Sequence, residues 1–147
     1  MTIAIGADQG GFELKQAITQ FLGELGHPVS DLGIHTLESI DYPDIAVEVA
    51  QAVASGKAKY GIVICGTGIG VSMAANKVSG IRAALCTNAY MARMAREHNQ
   101  AQVLCLGGRV IGTELAKDII EAFLSSEFEG GRHARRVSKI NALDEVG

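Results

Sequence analysis

Five short apolar runs alternate with amphipathic segments along this chain, and that alternation limits the folds open to it more than any other feature. Thr2–Ala7 (TIAIGA), Val29–Leu32, Gly61–Cys65 (GIVIC), Arg82–Cys86 (RAALC) and Gln102–Leu106 read as strands. Between the first two, Leu14, Ala17, Ile18, Phe21, Leu22 and Leu25 recur at helical spacing, and Gly26 stops the pattern. Ala46, Val49, Ala50 and Val53 form a second stripe, entered through Tyr42-Pro43. A helix of small residues covers roughly 71–77, and another surrounds Asn88–Glu97. Ala116, Ile119, Ile120, Phe123 and Leu124 mark a further one. The stretch from about Arg132 to Leu143 has helical composition, and the tail Asp144–Gly147 is expected to fray. Parallel strands need crossover helices, so this order predicts an α/β fold with a parallel sheet.

The 147 residues, 48% of them hydrophobic, suit one domain over 1–147 with a sizeable core. A net charge of −3 does not mark a binder of nucleic acid. The opening MTIAIGADQGG lacks a basic leader with a long apolar run, and no stretch approaches the roughly 18–20 apolar residues of a membrane span. The expectation is a cytoplasmic protein without membrane contact. Cys65, Cys86 and Cys105 are odd in number, lie in apolar runs and form no C-x-x-C pair. They read as free thiols in a reducing compartment, with no zinc site.

In parallel sheets of this kind, ligands bind outside the carboxyl ends of the strands. That rule selects Asp8-Gln9, Cys65–Gly70, Thr87-Asn88 and Gly107–Arg109. The strongest of these is Cys65-Gly66-Thr67-Gly68-Ile69-Gly70. Glycines at alternate positions let the backbone turn tightly and gather N–H groups, and a following helix start adds partial positive charge. Such a cradle suits a phosphate, a carboxylate or an enediolate, and a thiol at its mouth could act as thiolate base or nucleophile. The same residues also suit a tight turn beside a structural cysteine. The spacing matches neither the dinucleotide fingerprint nor the Walker loop.

Asp8 could bind sugar hydroxyls, assist proton transfer or cap a helix, and it would repel a pyrophosphate. His98, next to Asn99, offers acid–base chemistry near neutral pH or a helix cap. His27 and His35 fall in turns and read as surface residues. Arg109, Arg132 and Arg136 are candidates for anion recognition. Arg132 and Arg136 are four apart and share one helical face, as a phosphate fork or as a solvated basic surface. Cys86 and Cys105, inside strands, read as core. No group of carboxylates and histidines has ligand spacing, so no metal is expected.

Seven segments together resemble ribose-5-phosphate isomerase B. They are Gly6-Ala7-Asp8-Gln9-Gly10-Gly11-Phe12, Asp41-Tyr42-Pro43, Ile64-Cys65-Gly66-Thr67-Gly68-Ile69-Gly70, Ala74-Ala75-Asn76-Lys77, Gly80-Ile81-Arg82-Ala83, Arg96-Glu97-His98-Asn99 and Gly130-Gly131-Arg132-His133. The resemblance runs in order over almost the whole chain, and the family extends to allose-6-phosphate isomerases and galactose-6-phosphate isomerase subunits. It implies a Rossmann-like three-layer sandwich with a five-stranded parallel sheet, and a homodimer, or paired dimers, with pockets shared between subunits. It implies a cofactor-free, metal-free exchange of ribose 5-phosphate and ribulose 5-phosphate through a cis-enediolate, a step of the pentose phosphate pathway.

By position, the resemblance makes Cys65 the base that moves a proton between C1 and C2. Thr67 and the N–H groups of Gly66, Gly68, Ile69 and Gly70 would stabilise the enediolate. His98, with Asp8 near it, would open the furanose ring, and Asn99 would bind sugar oxygens. Arg109, Arg132 and Arg136 would hold the phosphate, some from the partner subunit, and Tyr42 would line the pocket. Some members use a glutamate in the loop region instead of the cysteine, and Val71–Ala75 offers no acid here. The family usually has Asp-His after the first strand, where this chain has Asp8-Gln9. Glutamine carries no proton or charge, so that position opens two alternatives: a six-carbon substrate such as allose or galactose 6-phosphate, or a non-catalytic sugar-phosphate binder.

Overall fold

Each apolar run of the sequence becomes a strand, and each stripe becomes a helix on one of two faces. The computed structural model describes residues 1–145. In chain order the elements are β1 (Ile3–Ala7), α1 (Phe12–Glu24), β2 (Val29–Gly33), α2 (Tyr42–Ala54), β3 (Tyr60–Cys65) and α3 (Ile69–Ala75). They continue with β4 (Ala83–Leu85), α4 (Ala89–Glu97), β5 (Val103–Gly107), α5 (Thr113–Ser125) and α6 (Arg132–Ala142), then a 3-10 turn over Leu143–Glu145. All strand pairings are parallel, in the order β2-β1-β3-β5-β4. β1, β3 and β5 are buried at every position, as befits central strands covered on both faces.

Alternation along each central strand divides its side chains between two cores. Ile3, Ile5, Ile62, Ile64, Leu104 and Leu106 pack with α1, α4 and α5 through Ile18, Leu22, Ala92, Ile119, Ile120 and Phe123. Ala4, Val63, Cys65, Val103 and Cys105 pack with α2 and α3 through Ala46, Val49, Ala50, Val71 and Ala75. The result is the three-layer α/β/α sandwich with a five-stranded parallel sheet. Cys105 belongs to the second core and Cys86 to the first, and all three cysteines are free.

Differences from the expected boundaries have local causes. The helix after the glycine loop starts at Ile69, because Gly68 turns left-handed at φ +82° and provides its N-cap. The first helix also buries Lys15, whose Nζ lies 2.7 Å from Asp31 Oδ2 on β2. At the tail, Asp144 sits in the final 3-10 turn, and its Oδ2 accepts the Gly80 N–H at 2.8 Å. The expectation of fraying at Val146 and Gly147 falls outside the described residues. Among the described residues, no helix is long and apolar enough to cross a membrane.

Candidate active site

The chain leaves β1 for β2 on one side, then crosses to β3 on the other. The order therefore reverses between β1 and β3, and a crevice opens at their carboxyl ends. Ala7 pairs with Ile64, so the next residues, Asp8 and Cys65, stand side by side. The Asp8 N–H donates to Ile64 O at 3.2 Å. On the other flank, Cys65 pairs with Gly107. The Gly108 N–H donates to Cys65 O at 2.8 Å, and the Arg109 N–H to Gly66 O at 3.0 Å. Three of the four strand ends that the topology rule selected thus meet in one place.

A cavity of about 390 Å³ occupies this crevice, lined by Asp8, Tyr42, Cys65, Gly66, Thr67, Ile69, Gly70 and Met73. The Gly68 N–H donates to Cys65 Sγ at 3.2 Å. The Thr67 hydroxyl oxygen accepts the Ile69 N–H at 3.2 Å. One Asp8 oxygen accepts the Gly10 N–H at 2.9 Å, so this carboxylate shapes its own loop, and Gly11 is the N-cap of α1. The Tyr42 ring lies against the Gly70 backbone so closely that a Cβ there would overlap the ring. Arg109 approaches the same loop, its Nη1 3.4 Å from where a Cβ on Gly66 would stand.

Gln9 lines a second cavity of about 440 Å³ next to the first, together with Glu13, Leu37 and Arg109. Its Oε1 accepts the Ile40 N–H at 3.1 Å. Gln9 thereby ties the β2–α2 loop over the carboxyl edge of the sheet. The fourth selected strand end has a structural use: Asn88 caps α4 by accepting the Met91 N–H at 2.9 Å.

The remaining candidates gather elsewhere. α4 runs back to the amino edge of the sheet, where His98 is its C-cap and Asn99 follows. α6 begins beside it, carrying Arg132 and Arg136 on its exposed side. The five residues of β5 separate the two edges by roughly 15 Å at about 3.3 Å per residue. Within one chain, then, His98 does not approach Asp8 or Cys65. His98 stacks on His133, ring centroids 4.0 Å apart and planes 7° from parallel. Glu129 Oε1 lies 3.6 Å from His98 Nε2 and 3.4 Å from His133 Nε2.

Linear spacing offered no histidine–carboxylate group, and the fold assembles this one from segments far apart in sequence. Its members come from α4, α6 and the segment between α5 and α6, so linear spacing carries no sign of it. The three ligand atoms lie within 4.8 Å of one another. Stacked rings, however, point their lone pairs side by side instead of at one centre, and Arg132 adds positive charge nearby. Burial, first, and then His98 and Arg132 hold the His133 pKa below the ordinary histidine value, with Glu129 opposing them. His35 is exposed and His27 half-buried, both outside the two groups. Burial pushes the Cys86 thiol up to about 11 and raises Cys105 further, which fits their reading as core.

A family model described as Ribose/Galactose Isomerase matches residues 3–140. Ribose-5-phosphate isomerase B of Escherichia coli (strain K12) is 50% identical over 143 residues, 97% of this chain and 96% of that protein. D-erythrulose-4-phosphate isomerase of Pectobacterium atrosepticum is 52% identical over 141 residues, 95% of this chain and 93% of that one. Among solved structures, the ribose-5-phosphate isomerase B of Clostridium thermocellum superposes with a TM-score of 0.98 at 57% identity, covering 99% of both chains.

Proposed function

The chain belongs to the ribose/galactose isomerase family, and from that premise we propose that it interconverts ribose 5-phosphate and ribulose 5-phosphate with Cys65 as the base. The observation that carries this reading is the pairing of Asp8 and Cys65 over one cavity at the topological switch point, with the Gly68 N–H on the sulfur. In the open-chain aldose, the Cys65 thiolate takes the proton from C2. The electron pair of that C–H bond forms the C1–C2 double bond, and the carbonyl oxygen becomes the enediolate oxygen. The thiol returns the proton to C1, the proton of the C2 hydroxyl passes to the enediolate oxygen on C1, and C2 becomes the ketone. The Thr67 hydroxyl and the loop N–H groups support the oxygen charge.

Ring opening needs a proton delivered to the ring oxygen and one removed from the anomeric hydroxyl. We assign the first to His98 and the second to Asp8. Because these two lie at opposite edges of one sheet, the reading requires a homodimer in which a second copy supplies His98, Asn99, Arg132 and Arg136. Arg109, beside the Cys65 loop, then reaches the phosphate from the first copy.

A second reading is favoured by the 52% identity to the D-erythrulose-4-phosphate isomerase: a four-carbon substrate. Its chemistry differs in one respect. Ribose 5-phosphate closes a furanose ring through its C4 hydroxyl, whereas a tetrose 4-phosphate carries phosphate at that position and stays open. The decisive experiment compares wild type and His98→Asn on ribose 5-phosphate and erythrose 4-phosphate, following exchange of the C2 proton with solvent. On the first reading, wild type turns over the pentose well and the variant loses at least about a hundred-fold. Efficient turnover of the tetrose alone, indifferent to His98, establishes the second. Absence of C2 exchange with either sugar reduces the protein to a binder.

A further inference from the structure

The reaction scheme uses neither Glu129 nor His133, yet both lie against His98. One carboxylate oxygen faces Nε2 of two parallel imidazoles, at 3.6 Å and 3.4 Å. With Nε2 turned to Glu129, Nδ1 is the nitrogen of His98 left for a ligand. The charged groups around the pair are Arg132 and Arg136 on α6, Glu129 before it, and Glu97 on α4, which faces Arg93 at 4.0 Å. Two imidazolium rings stacked this closely would repel, and the two arginines would add to the repulsion. His133 is 9% exposed in its side chain, and burial first, then the positive groups around it, hold its pKa below the ordinary histidine value, so its ring stands neutral.

We propose that Glu129 and His133 are positioning residues for His98: Glu129 holds the ring through Nε2, and His133 backs it as a neutral plate, leaving Nδ1 to face the sugar ring oxygen. This rests on the ring-opening role assigned to His98. Ribulose 5-phosphate has no free hydroxyl placed to close a furanose, so its C1 proton can exchange with solvent through the enediolate without any ring step. Net interconversion with ribose 5-phosphate, in either direction, includes the ring step as well.

The test is Glu129→Gln in the intact protein, assayed for isomerisation of ribose 5-phosphate and for exchange of the ribulose 5-phosphate C1 proton with solvent. We expect kcat/KM for isomerisation to fall about ten-fold and the C1 exchange to slow less than about two-fold. The thermal midpoint should hold, because the Glu129 side chain is half exposed. NMR of the His133 ring should show its titration moving further down, since Glu129 is the neighbour that raises it. Equal losses in isomerisation and in C1 exchange, or none in either, overturn the proposal. His98→Asn is the companion variant. If it alone slows isomerisation while sparing C1 exchange, the positioning claim fails and the role of His98 stands. If it slows both alike or neither, the ring-opening assignment fails and the proposal falls with it.

Discussion

Three cysteines of similar sequence context end in three different environments, and only one of those borders the crevice at the switch point. Cys105 is wholly buried in a central strand, and Cys86 is sealed just after the short β4. Neutral thiols suit both places, and the raised pKa values express that. Cys65 is the last residue of its strand, borders the cavity and receives an N–H on sulfur. Cys65→Ala is therefore expected to lower kcat by at least about a thousand-fold while shifting the thermal midpoint by only a few degrees. Cys86→Ala should keep activity within about two-fold. Paired turnover and melting measurements on the two variants check this, and comparable activity losses in both would refute the assignment. The place of Cys65 at a strand's carboxyl end was already legible in the sequence, because that end can be read from the glycines that follow it.

The loop joining β3 to α3 depends on one backbone conformation. Gly68 has φ +82°, and a Cβ there would stand 2.6 Å from Leu85 Cδ1 and 2.9 Å from the Leu106 carbonyl carbon. An alanine would be strained by its dihedral and would collide with β4 and β5 together. Gly80 has a similar φ of +85° with nothing within 4 Å of its added Cβ. Gly68→Ala should cost about 2–4 kcal/mol, and moving the N–H away from Cys65 should lower kcat by at least ten-fold, on the order of one hydrogen bond to a charged group. Gly80→Ala should cost about 1 kcal/mol and leave turnover unchanged. Urea unfolding with kcat for each separates strain from chemistry. Glycine spacing alone revealed the tight turn, but the identity of the residue that must be left-handed became visible only with the neighbouring strands in place.

Across the molecule, the candidate residues divide into two groups at opposite edges of one sheet. Cys65, Thr67, Asp8, Tyr42 and Arg109 occupy the carboxyl edge, and His98, Asn99, Arg132 and Arg136 the amino edge. Isomerisation by a shared site predicts complementation. Cys65→Ala and His98→Asn preparations, each nearly inactive on ribose 5-phosphate, should recover up to about a quarter of wild-type activity when subunits are exchanged. Half the dimers formed by random pairing carry both variants, and each of those holds one intact site. Activity that stays at the sum of the two parents after verified exchange argues for sites built within single chains.

Period along the chain was enough to reveal the strand–helix alternation, the parallel sheet and the glycine loop with its thiol, because each of these is written in residues a few positions apart. Motif order was enough to indicate the family. Strand order was not available in that way: β1 borders β3, and β3 borders β5, through packing between segments far apart in sequence. That order puts Asp8 beside Cys65. The same long-range packing moved His98 to the other edge and brought Glu129 and His133 to it, a cluster with no linear signature. Local periodicity encodes which face of an element is buried, while the partners on that face are chosen by how all the faces fit together.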